Sequence, residues 1–285
     1  MQRIDLSWCE NRLELLSKAK ILDFVKKRLP LDLMPDYDLT SYQGNREIEY
    51  VLREKIRLNN TFTRIYSFDM ISYGYNINDG EELTLPNKRE LGHFRFDVDR
   101  INYRSSNIEL VGKLFGGSYE IGSMNNPVVE AEFIGLRKNK KIGFYWRLVL
   151  DALLYDLESD YKMAFFIIFS SIERLVIDYY MNKIHVDLYP EFRGPLKNIA
   201  LEDKLKVVAR SLGTRDLKDI PLWTSMFSMF KDLTDRRNQI AHSLKGKQFR
   251  SVDVSRVFWL FLVLNSFINF NCRSMKDVTK HYLGN

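Results

Sequence analysis

Cysteine, glycine-rich loops and long apolar runs are scarce in this chain, and each scarcity removes a class of function. The two cysteines, Cys9 and Cys272, stand near opposite ends and share no metal-ligand spacing, so neither a disulfide framework nor a thiolate zinc site is indicated. Gly112-x-x-x-Gly116-Gly117 lacks the Lys-Ser/Thr pair that completes a nucleotide-binding loop, which leaves an ATPase reading without support. The N-terminal stretch, Met1 to Glu14, carries charge every few residues and has no apolar core of the kind a signal peptide needs. Met163 to Phe169 reads as the most apolar stretch and is far too short to span a bilayer. A soluble, cytoplasmic protein with no membrane partner, no metal and no cofactor is the expectation. There is no internal repeat and no low-complexity segment.

What the chain does have is an excess of positive charge, unevenly placed. The formal net charge is +6, and residues 143–285 carry +5 of it, against +1 for residues 1–142. Within the basic half lies the hexad Arg237-Asn238-Gln239-Ile240-Ala241-His242. Arginine is always charged and suits a phosphate, and histidine is the side chain best able to exchange a proton near neutral pH. The two together suggest cleavage of a phosphodiester.

The hexad sits in a segment that reads as a helix from Leu222 to about Gly246, with Pro221 near its start and an apolar stripe of Trp223, Met226, Phe230, Leu233, Ile240 and Leu244. Arg237 falls on that stripe, so its guanidinium needs a partner. Asn238 and His242 are four residues apart and share an adjacent face. A second predicted helix, Asp160 to Lys183, has the stripe Phe166, Phe169, Val176 and Tyr180, and Glu173 falls on it. Two opposite charges on two apolar stripes are most economically read as facing each other, since a buried charge left unpaired is costly. Lys245, Lys247 and Arg250 follow the hexad as candidate phosphate contacts; a solvated helix end favoured by cations explains the same residues.

The first half reads differently. Glu10 to Arg28 and Arg46 to Arg57 are predicted helices, and three runs then alternate with period two: Tyr66, Phe68, Met70; Phe94, Phe96, Val98; Val129, Ala131, Phe133. Turn signals at Asn78-Asp79-Gly80, Leu85-Pro86-Asn87, Gly116-Gly117 and Asn125-Asn126-Pro127 imply about five strands in meander-like order. The basic stretch Arg137-Lys138-Asn139-Lys140-Lys141 marks a boundary. The expected class is α+β: an N-terminal mixed domain, 1–142, with a mainly antiparallel sheet, and a C-terminal all-α domain, 143–285.

Arg237-Asn238-x-x-x-His242, the preceding Ser171-Ile172-Glu173-Arg174-Leu175 and the intervening Leu201-Glu202-Asp203-Lys204-Leu205 resemble the HEPN family of small helical domains, over about Gly143 to Asn285. The resemblance implies a helical bundle and a metal-independent endoribonuclease of a bacterial anti-phage, abortive-infection or toxin system. In it the 2′-hydroxyl of RNA attacks the adjacent phosphate to leave a 2′,3′-cyclic phosphate. His242 would move protons, Arg237 would stabilise the phosphoryl oxygens, Asn238 would orient His242 or the phosphate, and Glu173 would orient Arg237. Members commonly build one site from two domains, so one hexad per chain implies a homodimer through the C-terminal domain. The apolar runs Phe165 to Phe169 and Phe258 to Leu264 offer either that interface or a core. The strand-rich half would then sense a trigger protein or an antitoxin. Two other readings remain: a non-catalytic module that binds RNA, a nucleotide or a partner protein, and a structural dimerisation protein.

Overall fold

Asn11 opens the first helix, α1 (Arg12–Lys18), by accepting from the Glu14 backbone N–H at 3.2 Å while its amide donates to the Glu14 carboxylate at 2.9 Å. The helix ends within two turns, and Lys20 follows with φ at 56°, a left-handed conformation that no helix continues through. Here the computed structural model departs from the predicted helix Glu10 to Arg28, because Asp23–Pro30 is a strand, β1. Residues described are 5–30, 48–57, 61–75, 95–104, 107–116, 127–185, 190–212, 216–241 and 248–284.

Five further strands are described: β2 (Ile48–Arg57), β3 (Phe62–Tyr75), β4 (Arg95–Arg104), β5 (Asn107–Gly116) and β6 (Pro127–Arg137). They form two three-stranded antiparallel sheets, in the orders β1-β6-β3 and β2-β5-β4. The predicted alternating runs fall on β3, β4 and β6, except Phe94, which lies outside the described residues. The predicted helix Arg46 to Arg57 is instead β2, paired with β5 from Ile48↔Gly116 to Arg57↔Asn107. The meander is also corrected, since β4 and β5 alone are neighbours both in sequence and in a sheet among the described residues. At the centre of the first sheet Ala131 and Phe133 are fully buried, and Gly135 leaves room for the Phe62 ring, which a Cβ there would meet at 2.7 Å. Of the four turn signals, residues 78–80, 85–87, 117 and 125–126 lie outside the described residues. Gly116 ends β5 and Pro127 begins β6.

The helices are α2 (Phe144–Leu157), α3 (Tyr161–Tyr179), α4 (Pro190–Lys197), α5 (Leu201–Ser211), α6 (Trp223–Ala241), α7 (Ser251–Phe270) and α8 (Met275–Leu283), with a π turn at Tyr180–Ile184 prolonging α3. The class is α+β, and the chain divides into two units: residues 20–140, and residues 1–19 together with 141–285. The described residues of that first stretch, 5–19, therefore group with the helices, whereas the sequence placed the division at 142. Cys9 is fully buried, and Arg12 lies 3.2 Å from Asp156 on α2 and donates to the Ser251 carbonyl at 3.2 Å. In the strand unit, Arg137 and Lys140 of the basic stretch both lie against Asp23, at 3.7 and 2.9 Å.

The centre of the helical unit is α7, which packs on α3, α6 and α8. Its residues from Val257 to Ile268 are all buried. This helix, not Met163 to Phe169, is the longest apolar element: its 20 residues would suffice to cross a membrane by length and composition, and 83% of that window is buried. Enclosure on all sides among neighbouring helices fits the core of a folded bundle. It also removes Phe258 to Leu264 from the candidates for a dimer face.

Candidate functional site

The site is built where α3 and α6 cross. Both helices are bound to that crossing by their apolar stripes: Phe169, Ile172 and Val176 on α3 and Met226, Phe230 and Leu233 on α6 are fully buried, and the Phe169 and Phe230 rings lie 6.2 Å apart. Burying side chains of this size contributes roughly 1.5–3 kcal/mol each. Glu173 lies one turn past Phe169 on α3, and Arg237 two turns past Phe230 on α6. Arg237 Nη2 lies 3.2 Å from Glu173 Oε1 and donates to Oε2 at 3.3 Å, with 30% and 23% of the two side chains exposed. Arg237 Nη1 donates to Asn238 Oδ1 at 3.3 Å, and its buried Nε–H has no hydrogen-bond partner among the described residues.

Burial holds the Glu173 carboxyl above the usual carboxylate range, although the adjacent Arg237 guanidinium pulls it down by charge and by hydrogen bonding. Desolvation is the larger effect. The pair therefore stands between an exposed bridge, worth little, and a fully buried one, where loss of a partner is severe. Chemically, Glu173 fixes the plane of the guanidinium from one side, and the part of the side chain that stays exposed is what an anionic oxygen could meet.

The next residue, Arg236, faces a different helix. It reaches Asp253 on α7 at 2.8 Å, donates to the Gln248 carbonyl at 3.5 Å and lies with its Cζ 4.5 Å from the centre of the Phe249 ring. Asp253 also accepts from the Arg250 backbone N–H at 3.0 Å, closing the first turn of α7. Phe249 in turn meets the Phe165 ring at 5.2 Å. Arg256 and Asp232 make a second ion pair between α7 and α6. Arg236 thus ties the residues that follow the hexad back to the helix that carries it. The sequence holds a faint signal for this: Asp253 is acidic within an apolar run that begins at Val252, and it is buried here.

The structure brings Arg237, Asn238 and Glu173 together. His242, Lys245 and Lys247 lie outside the described residues, as does Leu244; Arg250 is exposed at the N-cap of α7. Of the other histidines, His93 is likewise outside them, His185 approaches the Tyr180 ring at 6.2 Å, and His281 stacks on Phe270 at 4.1 Å, its pKa lowered by burial. Among the described residues no three His, Cys, Asp or Glu side chains gather where they would hold a metal. Compared with known proteins, the chain matches no family model, no curated protein and no solved structure.

Proposed function

We propose that the helical unit is a HEPN-like endoribonuclease domain that cleaves RNA through its own 2′-hydroxyl without a metal. The observation that carries this reading is the Glu173–Arg237 pair. A guanidinium at the end of an apolar stripe is held at 3.2 Å by a carboxylate from a second helix, beside Asn238, with 30% of its side chain exposed. Such a group, fixed before substrate arrives, is suited to stabilising charge that develops on phosphoryl oxygens.

In the reaction the 2′-oxygen forms a bond to phosphorus while the bond from phosphorus to the 5′-oxygen breaks. One proton leaves the 2′-hydroxyl and another is delivered to the departing oxygen. His242 takes the proton role, one residue past Ala241 at the end of α6, because imidazole is the side chain type suited to both transfers near neutral pH. Two imidazoles would let one act as base and one as acid, so a homodimer that brings two hexads to one cleft fits the chemistry. In this reading the partners are RNA, a second copy of the chain, and a trigger or antitoxin acting on the strand unit, and the setting is bacterial defence in the cytoplasm.

The competing reading is a module that binds RNA, a nucleotide or a protein without cleaving. It is favoured by the enclosure of Phe258 to Leu264, which leaves those residues unavailable to a dimer. Incubating the protein and its His242→Ala variant with total RNA and transfer RNA in excess EDTA, then mapping fragment ends, separates the two. Cleavage to 2′,3′-cyclic phosphate ends by the wild type alone supports the nuclease. Intact RNA in both, despite measurable binding, supports the module.

A further inference from the structure

One face of α6 carries a feature that neither the hexad nor the core uses. Lys206, from α5, and Lys231, from α6, place their ammonium groups 5.6 and 5.9 Å from the centre of the same ring, Phe227. That ring is stacked on Trp223 at 4.9 Å and lies parallel to Phe230 at 6.5 Å, so it is fixed by the core beneath it. Two like charges held around one ring repel each other, and an anionic chain that reaches both relieves that repulsion. Lys206 has a partial counter-charge in the exposed Asp203, at 2.8 Å. Lys231 has no carboxylate partner among the described residues and is exposed.

Helical spacing connects this pair to the hexad. Phe227, Lys231 and Asn238 follow one another at four and seven residues, which keeps them on one face, and Lys231 precedes Asn238 by about 10 Å of helix axis. Asp235 lies on the same face, four residues after Lys231, with no cation paired to it among the described residues.

We propose that Lys206 and Lys231, ordered over Phe227, form a phosphate subsite that holds the backbone of single-stranded RNA beside the scissile position at Arg237 and Asn238. The proposal rests on the RNA-cleaving reading above and names where the strand lies. The subsite takes one phosphate or two successive ones, is indifferent to base, and is opposed by Asp235.

The test uses the full chain and a fluorescein-labelled, 2′-O-methyl single strand, which keeps the phosphates and cannot be cleaved by 2′-hydroxyl attack. Anisotropy titrations at several salt concentrations give affinity and salt slope. Lys206→Ala and Lys231→Ala should each weaken binding about threefold or more and lower the slope by about 0.7, the contribution of one phosphate contact on a single strand. Lys231→Arg should restore binding, and Asp235→Asn should tighten it. Lys276→Ala, an equal charge loss on α8, should change affinity less than twofold by the same reasoning on local contacts. If the wild type binds while Lys206→Ala and Lys231→Ala behave as Lys276→Ala does, the subsite is overturned and the RNA reading stands. If the wild type does not bind the probe at all, the RNA reading falls and the subsite with it.

Discussion

Replacing Arg237 by Met tests the balance of forces at the α3–α6 crossing. The variant keeps most of the aliphatic volume and removes the charge, leaving Glu173 with 23% of its side chain exposed and no cation at 3.2 Å. An exposed pair would cost about 0–1 kcal/mol to break and a fully buried one about 3–5 kcal/mol; the intermediate exposure here places the loss at about 1–2 kcal/mol at neutral pH. The pH dependence carries the argument further. The folded pKa of Glu173 is raised above its ordinary 4.5 by burial, against the pull of Arg237. A raised carboxyl favours the folded state when protonated, so its contribution is fully present below the ordinary value and is lost as pH rises through the folded one. Without Arg237 both lowering influences vanish, the folded pKa climbs further, and the loss becomes steeper with pH. Arg237→Met should therefore be clearly less stable than wild type at neutral pH and nearer to it at mildly acidic pH. Adding Glu173→Gln should recover part of the deficit. Urea unfolding followed by tryptophan fluorescence at the two pH values measures all three. An equal cost at both, or a double variant no better than Arg237→Met, would refute the account of Glu173 as a desolvated carboxylate held by Arg237.

Three further outcomes follow from geometry. Arg236→Met removes the link to Asp253 at 2.8 Å and to Gln248; on the proposed RNA-cleaving reading it should lower the cleavage rate while leaving affinity for an uncleavable strand within about twofold, because it acts by positioning and not by charge at the phosphates. Arg12→Met leaves Asp156, whose pKa burial already raises, without its 3.2 Å partner. With side chains only 8% and 13% exposed, the cost should approach about 3 kcal/mol, and residues 1–19 should become cleavable by trypsin well before the helices do. Gly135→Ala puts a methyl 2.7 Å from the Phe62 ring and 2.8 Å from the Arg64 carbonyl; overpacking should cost about 1–3 kcal/mol in the strand unit, read as a lowered midpoint for its unfolding with the helical unit unchanged.

What could be read from the sequence divides by the range of the interaction that decides it. β3, β4 and β6 announce themselves because alternation is local. β1 and β2 do not: Ile48, Tyr50, Leu52 and Ile56 fit period two, while Ile48, Val51, Leu52 and Ile56 fit a helix equally well. Pairing with β5, more than fifty residues away, settles the matter in favour of a strand. The same holds for β1, whose partner is β6. Glu173 and Arg237 were legible because each is a charge on an apolar stripe, and charges so placed require one another. Arg236 was not, for it stands beside Arg237 in sequence yet about 100° around the helix, and what it meets on α7 depends on a crossing that no local pattern records. The apolar run in α7 was equally silent on whether a core or a second copy of the chain covers it; the packing of α3, α6 and α8 answers that.

The charges near the hexad separate into two kinds, and the separation has a consequence for recognition. Arg237, Arg236 and Arg256 are each paired with a carboxylate, so they offer directed N–H groups and little net field. A polyanion is drawn chiefly by cations whose charge is not already answered. Among the described residues Lys231 is one, and Arg250 is another: it is exposed at the N-cap of α7, where the helix dipole already places positive charge and a further cation is disfavoured. A cation kept at such a position makes sense when an anion visits it. On the proposed RNA-cleaving reading, attraction and orientation are supplied by different residues, so the salt dependence of RNA binding should follow Lys231 and Arg250, whereas the rate of cleavage should follow Arg237 and Glu173. A salt slope unchanged in Lys231→Ala and Arg250→Ala, but lowered in Arg237→Met, would invert that assignment.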